Sequence, residues 1–340
     1  MRFTSLIQLS PAEFDIHFPA PCCTEARTRL GRLTELLQAD PVPDLRRPEM
    51  AALLPQVDIL VTGWKSHPVD AELRQRMPRL KLIAHLAGTV KGVLTQGVAS
   101  SGLRVVSAAE ANAKPVAEFT LAHILLHLKR VADWRSLYRE KRSRIDTRNT
   151  RFGGPLGNAG RTVGIIGASR IGRRVAEDLR RHGVSVLLHD PFVSAETAAS
   201  FGAQKVEMAA LLRRSDVVSL HQPLLPTTER SFGAAEFARM RDGALLINTA
   251  RGRIIDSDAL EAAMSGGRLF AVLDVTDPEP LPDTSPLWDM PNVTITPHIA
   301  GSFGCEVCAM TELVLDDFPR FTRDEPMQNE VVIADWERVA

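Results

Sequence analysis

The sequence predicts an α/β fold with two doubly wound parallel-sheet domains. Short apolar runs alternate with helical patterns along most of its 340 residues, as they do in proteins built from βαβ units. That length suits two domains better than one. Polar residues also gather just after the apolar runs, which is where a doubly wound sheet places its ligand site.

Composition places the chain among globular proteins. Its hydrophobic fraction is 44% and its charged fraction is 24%, both typical values. The net charge of +0 gives no general attraction to polyanions, so we predict no nucleic-acid partner. No apolar run reaches the roughly 18 residues of a membrane span, and the first residues lack the apolar core of a signal peptide. We therefore predict no membrane partner and a cytoplasmic location.

Four cysteines occur in the chain: Cys22, Cys23, Cys305 and Cys308. A Cys₄ zinc site would need all of them, but adjacent cysteines chelate one ion poorly. Small packing residues are the better interpretation, and we predict no metal.

Residues 1 to about 106 predict a smaller α/β domain. Helices are predicted over Arg27–Gln38 and Asp70–Met77, and strands over Val57–Val61, Leu80–Ala84 and Leu103–Val106. Trp64, Gly88 and Thr89 lie in loops that follow two of these strands. They are candidate substrate contacts because open α/β sheets bind ligands at the carboxyl ends of strands. A packing role for Trp64 and a simple turn at Gly88 are equally good interpretations.

A long amphipathic helix is predicted from Pro115 to about Val131, followed by the basic stretch Trp134–Arg151. A run of arginines suggests an anion or nucleic-acid patch. Because no aromatic stacking platform accompanies it, a solvated or subunit-contacting arm explains it better.

The stretch Arg161–Asp190 has the layout of a dinucleotide-binding unit: strand, glycine turn, helix, strand. Gly167 and Gly172 stand at the first and third glycine positions, and Ser169 replaces the middle glycine. Asp190 ends the second strand 23 residues after Gly167. A carboxylate there can accept the ribose hydroxyls and repels a 2′-phosphate, which favours NAD over NADP. An ordinary βαβ unit with a glycine turn is the alternative.

The α/β alternation continues after Asp190. Strands are predicted over Asp216–Leu220, Gly243–Ile247, Phe270–Leu273 and Val293–Ile295, and helices over Val206–Leu212, Ser257–Met264 and from Ser302 to about Phe321. Three polar motifs follow the strand ends: NTARGRIID (248–256), LDVTDPEPL (273–281) and TPHIAG (296–301).

These motifs supply the groups that hydride transfer to a carbonyl requires. Arg251 is a permanent cation that can hold a carboxylate with two hydrogen bonds. His298 can exchange a proton near neutral pH. Glu279 can orient that imidazole and stabilise its charged form. Singly, a solvated glutamate and a core histidine are plainer interpretations of the last two. Their occurrence together after a dinucleotide unit favours a catalytic set.

The motifs resemble those of the D-isomer-specific 2-hydroxyacid dehydrogenase family, which includes glyoxylate/hydroxypyruvate reductases and phosphoglycerate dehydrogenases. The segments that carry the resemblance are Ala113–Leu121, Ser169–Gly172, Asn248–Gly252, Asp274–Leu281 and Pro297–Gly301. It covers most of residues 80–301. The chain departs from the family at Ser169, at Thr276 and in the segment Ala87–Lys91, which lacks a usual glycine and aspartate.

The resemblance implies a role for most of the candidate residues. Arg251 binds the substrate's carboxylate and keto oxygen, His298 is the general acid/base and Glu279 is its partner. Trp64, Gly88 and Thr89 stay candidate substrate contacts because of their position after strands, not because of the resemblance. The implied cofactor residues are Gly167, Ser169, Arg170, Ile171, Gly172, Asp190, Gln222, Thr249, Ala250, Asp274 and Gly301.

The resemblance also implies two Rossmann-like domains, with an NAD-binding domain over residues 109–302 inserted into a split substrate domain over 1–108 and 303–340. It implies a homodimer formed through the cofactor domain. The expected activity is NAD-dependent interconversion of a 2-keto acid and a D-2-hydroxy acid. The alternative is an NAD(H)-sensing binding protein, because corepressors of the C-terminal-binding-protein type resemble this family and keep the same three residues.

Overall fold

The computed structural model describes residues 2–19, 23–150, 152 and 156–338. It divides into two compact units. The first unit consists of Met1–Pro115 and Gly301–Ala340, and the second of Val116–Ala300.

The elements alternate along the chain as βα units require. The strands are β1 Thr4–Gln8, β2 Glu35–Leu36, β3 Ile59–Thr62, β4 Leu82–His85, β5 Arg104–Ser107, β6 Thr162–Ile166, β7 Ser185–His189, β8 Ala203–Lys205, β9 Val217–Leu220, β10 Leu245–Asn248, β11 Phe270–Leu273 and β12 Val293–Ile295. The α-helices are α1 Pro11–His17, α2 Thr24–Leu33, α3 Ala71–Arg76, α4 Gln96–Ala99, α5 Ala109–Leu128, α6 Val131–Lys141, α7 Arg170–Arg180, α8 Ala195–Ser200, α9 Met208–Arg214, α10 Ala234–Arg239, α11 Ser257–Ser265, α12 Glu306–Asp316 and α13 Phe318–Thr322.

The first unit contains a five-stranded parallel sheet in the order β2-β1-β3-β4-β5. Its strands β1, β3, β4 and β5 are largely buried, whereas the edge strand β2 is partly exposed. One face packs against α1, α2 and the C-terminal helices α12 and α13. The strand order reverses between β1 and β3, so the topological switch point lies where these two strands end.

The second unit contains a seven-stranded parallel sheet in the order β12-β11-β10-β9-β6-β7-β8. Counted from β6, this is the 3-2-1-4-5-6 order of dinucleotide-binding sheets with one strand added. Separate apolar clusters cover its two faces. The switch point lies between β6 and β9. The two parallel-sheet α/β units confirm the predicted fold class.

Some elements differ from the sequence prediction. The leucine-rich helix predicted to run to Gln38 ends at Leu33, and residues 35–36 pair with β1 instead. The helix predicted to begin at Pro115 begins at Ala109 and carries that proline in its interior. Part of the basic stretch forms the helix α6. Among the described residues, no helix combines the length and apolarity needed to cross a membrane.

The cysteines have different environments. Cys22 lies outside the described residues. Cys23 is buried in the core of the first unit, and the half-buried Cys308 packs against the same core. Cys305 takes part in a disulfide, which the packing interpretation did not include.

Candidate active site

The turn after β6 is shaped by a close approach of two backbone segments. Gly167 has φ +96°, and a Cβ atom there would lie 2.5 Å from the backbone nitrogen of Gln222, just after β9. A Cβ at Gly172 would lie 2.2 Å from the carbonyl oxygen of Gly167. Only glycine fits either position. Because the turn follows β6 and touches the segment after β9, it lies at the switch point of the second sheet.

Ser169 is the N-cap of α7. Its backbone is extended, with φ −64° and ψ 175°, and its hydroxyl accepts a hydrogen bond from the Gly172 N–H at 3.2 Å. This conformation suits any residue, so the position does not need glycine. Serine instead satisfies one of the N–H groups that a helix start leaves unpaired.

Asp190, after β7, ties two segments of this region together. One carboxylate oxygen accepts from the Ala168 N–H at 2.7 Å, and the other accepts from the Phe192 N–H at 2.8 Å. A carboxylate offers about four acceptor positions, so acceptor capacity remains. Arg170 is exposed at the start of α7, whereas Ile171 is half-buried and packs against the core.

Gln222 and Thr249 follow β9 and β10. The Gln222 amide donates to Ser231 Oγ at 3.3 Å, and its Oε1 is buried without a hydrogen-bond partner among the described residues. Thr249 is buried, with its hydroxyl 3.4 Å from that of Thr120 on α5. The unsatisfied amide oxygen of Gln222 indicates room for an additional hydrogen-bond donor.

Asn248 shapes the loop that presents Arg251. Its Oδ1 accepts from the Ala250 N–H at 3.0 Å, and its Nδ2 donates to the Arg251 carbonyl at 2.9 Å. The Arg251 side chain reaches solvent, yet the surrounding protein lowers its guanidinium pKa by desolvation, while the charge of Glu279 opposes that shift. An arginine remains protonated under these conditions.

Glu279 and His298 form a direct pair. His298 Nδ1 lies 2.7 Å from Glu279 Oε1, and the two side chains are 52% and 44% exposed. Their exposure leaves the other face of the imidazole accessible to a small molecule. Since Glu279 also acts electrostatically on Arg251, this one carboxylate links all three predicted catalytic residues.

Asp274, at the end of β11, holds the loop that carries His298. Its carboxylate is 2% exposed and accepts hydrogen bonds from the Thr296 hydroxyl and the Ile299 and Ala300 N–H groups, at 2.6, 2.8 and 2.9 Å. The residues that donate these hydrogen bonds lie on both sides of His298 in the chain. The φ of His298 is +58°, which is rare for a residue with a side chain. The family resemblance implies that Asp274 contacts the cofactor, and its structural role in holding the His298 loop was not predicted from the sequence.

The remaining candidates lie in the first unit, on loops after its strands. Trp64 follows β3 and is 42% exposed, whereas Gly88 and Thr89 follow β4 and are half-buried. Gly301 belongs to the same unit.

Sequence reasoning missed Asn112, which lies between two of these positions. Its Nδ2 is 3.6 Å from where a Cβ of Gly88 would be, and its Oδ1 is 2.9 Å from where a Cβ of Gly301 would be. The Oδ1 also accepts from the Ser302 N–H at 2.8 Å. Asn112 directly precedes the Ala113–Leu121 motif, which was the available signal.

Comparisons with known proteins identify the family of the chain. The model of the NAD binding domain of D-isomer specific 2-hydroxyacid dehydrogenases matches residues 121–300. The D-3-phosphoglycerate dehydrogenase of Archaeoglobus fulgidus is 32% identical over 87% of this chain and 55% of its own length. The hydroxypyruvate reductase of Thermotoga maritima is 30% identical over 86% of this chain and 92% of its own length. The chain belongs to the D-isomer specific 2-hydroxyacid dehydrogenase family.

A solved structure agrees as well. The D-lactate dehydrogenase of Aquifex aeolicus, complexed with NAD and lactic acid, is 26% identical, covers 94% of this chain and 96% of its own, and superposes with a TM-score of 0.69. The chain spans about half the length of the curated phosphoglycerate dehydrogenases that it matches.

The second unit fits NAD, the cofactor of this domain family. Gly167 places no side chain between the end of β6 and the backbone of Gln222, and the helix N–H groups at the start of α7 favour a pyrophosphate. Asp190 keeps acceptor capacity for ribose hydroxyls and would repel a 2′-phosphate. The unsatisfied Gln222 Oε1 offers a further acceptor.

Proposed function

We propose that the protein is an NAD-dependent oxidoreductase that interconverts a 2-keto acid and a D-2-hydroxy acid. The 2.7 Å hydrogen bond between His298 and Glu279, in the unit that matches an NAD-binding domain, is the observation that carries this proposal. An imidazole so paired is an oriented proton donor and acceptor, which carbonyl reduction requires.

Each of the three side chains has a distinct task in the proposed reaction. Arg251 holds the substrate carboxylate and polarises the keto oxygen, because its planar fork matches two oxygens at once. When bound, NAD exchanges a hydride with C2 of the substrate. His298 delivers a proton to the keto oxygen through Nε2, since Nδ1 faces Glu279. Glu279 keeps the ring oriented through its hydrogen bond with Nδ1.

The first unit is proposed as the substrate domain, with Trp64, Gly88 and Thr89 as substrate contacts. We also propose a homodimer and a cytoplasmic location, as the sequence and the family resemblance indicate. Light scattering on the purified protein tests the dimer directly.

A substrate panel tests the activity. We would mix the purified protein with NADH and glyoxylate, hydroxypyruvate, pyruvate or bulkier 2-keto acids, and follow the loss of NADH absorbance, with NADPH in parallel. We expect oxidation of NADH with at least one acid and slower oxidation of NADPH. Faster oxidation of NADPH would contradict the assignment of Asp190.

The same panel separates the enzyme from the corepressor-type alternative. NADH binding without turnover on any acid would favour a binding protein. The relatives reported above are named as dehydrogenases and reductases, which supports the enzyme.

A further inference from the structure

The switch point of the first sheet carries an aromatic pair in which the candidate substrate contact Trp64 stacks on His17, a residue with no role assigned so far. His17 ends α1, which follows β1, and Trp64 follows β3. Their rings stack with centroids 4.7 Å apart and an interplanar angle of 27°. Ligands in sheets of this order bind where β1 and β3 end, so the pair lies where a ligand is expected.

His17 serves this pair as a ring and not as an acid, base or ligand. It is fully buried, and both ring nitrogens lack a hydrogen-bond partner among the described residues. Burial lowers its pKa to about 4, so the imidazole is neutral at physiological pH. No group of three or more metal-binding side chains includes it within the described residues.

The loop that carries Trp64 is held against α1 and β1. A Cβ at Gly63 would lie 2.4 Å from His17 Nε2, so only glycine allows the loop to pass this close. Ser66 Oγ accepts from the Gly63 N–H at 2.8 Å and donates to the Gln8 carbonyl at 2.6 Å. The Trp64 ring is thus fixed against His17, while the residue as a whole is 42% exposed.

We propose that Trp64, positioned by His17, forms a flat wall at the switch point of the first sheet that binds an aromatic or broad apolar group of the substrate. This inference rests on the proposed function and names the substrate class within it. A planar ring that is already immobilised loses little freedom on binding and offers its open face to another ring.

The neighbouring residue Lys65 suggests a different substrate preference. It is exposed, and its Nζ lies 3.8 Å from Glu13 Oε1 on α1. A cation here would favour substrates with a distal anionic group. Its pairing with Glu13 offsets that charge, so we assign specificity to the ring and use Lys65 as the matched control.

The test compares kcat/KM for phenylpyruvate, glyoxylate and 3-phosphohydroxypyruvate in Trp64→Ala, Trp64→Phe and Lys65→Met. Trp64→Ala should lower the phenylpyruvate-to-glyoxylate ratio about tenfold or more, because ring packing and apolar burial are both lost. Trp64→Phe should restore most of the ratio, and Lys65→Met should leave it unchanged. A selective loss of the phosphorylated acid in Lys65→Met, with no change of ratio in Trp64→Ala, would overturn the proposal.

His17→Ala tests the positioning role. It should lower the same ratio in the wild-type background and have no further effect in Trp64→Ala, because it acts only through that ring. Equal losses for phenylpyruvate and glyoxylate would indicate a merely structural role and contradict the assignment.

The results distinguish an error in the proposed function from an error in the assignment of Trp64. If the wild type reduces no 2-keto acid with NADH, the proposed function is wrong. If it reduces glyoxylate but not phenylpyruvate, or if Trp64→Ala affects both equally, only the assignment of Trp64 is wrong.

Discussion

The two sheets present different chemistry at equivalent edges. Both are parallel, and each has its switch point beside its first strand. The loops after the strands of the second sheet carry three partly exposed ionisable side chains, Arg251, Glu279 and His298, linked by one hydrogen bond and by the charge of Glu279. The corresponding edge of the first sheet has His85 at the end of β4 and His17 at the end of α1, and both are buried and neutral.

The topology of a sheet sets where its site edge lies, and the residues at that edge set its chemistry. Parallel strands gather their carboxyl ends at one edge whatever the sequence is. Whether that edge exchanges protons or only shapes a surface depends on the burial of its titratable groups. His298 is half exposed and hydrogen-bonded to a carboxylate, so its ring is accessible to a small molecule, whereas His17 is fully buried and neutral.

The largest expected effect comes from removing the imidazole at the charged edge. His298→Ala should lower kcat by about 10²–10⁴-fold, the usual contribution of general acid/base catalysis. Steady-state NADH oxidation with the best acid of the panel measures this loss. His182→Ala, which removes an exposed histidine after α7, is the matched control. Near-normal turnover in His298→Ala would remove the catalytic distinction between the two edges.

The buried histidines should make stability depend on pH. Burial lowers the pKa of His17 to about 4 and that of His85 to about 3, while unfolded histidines titrate near 6.5. The unfolded chain therefore binds more protons, and the free energy of unfolding should fall as pH drops from about 6.5 towards 4. Each such histidine contributes a slope of up to about 1.4 kcal/mol per pH unit.

Urea unfolding between pH 7 and pH 5 measures that slope. His17→Ala should reduce the slope by the contribution of about one proton, because the folded chain then has one buried, neutral histidine fewer. An unfolding midpoint that does not change below pH 6.5 would contradict the buried, neutral state of these rings.

The smallest effect concerns the helix start at the second edge. Ser169→Ala removes the cap on α7 and should lower stability by about 0.5–2 kcal/mol, whereas Ser169→Gly should cost only a few tenths. Thermal unfolding of both variants measures the difference. Equal losses in the two variants would show that the hydroxyl does not cap the helix in solution.

Local patterns were sufficient for much of the fold. Apolar runs predicted β9, β10, β11 and β12 to within a residue or two, because buried parallel strands are nearly continuous in hydrophobicity. The leucine stripe near residue 36 misled the prediction of α2. Leu36 pairs with Ser5 in the sheet, and a partner so distant in sequence leaves no local sign.

In the candidate site, too, local motifs predicted some features, whereas contacts between distant segments were not predicted. Motifs predicted Arg251, Glu279 and His298 as catalytic candidates, because each residue type has a chemical purpose after a strand, and their roles stay predictions. They could not show that Asp274 holds the His298 loop by three hydrogen bonds, since two of the donors are backbone N–H groups. Asn112 was missed for a similar reason, because its contacts join segments far apart in the chain.

The backbone at His298 has a consequence for attempts to make this protein more heat-resistant. With φ at +58°, the position favours glycine, and a side chain there costs about 1–2 kcal/mol. A search for stabilising substitutions guided by backbone preference alone would select glycine and remove the proposed proton carrier. Under the proposed function, the stability lost at this residue is the cost of a proton carrier that glycine cannot replace.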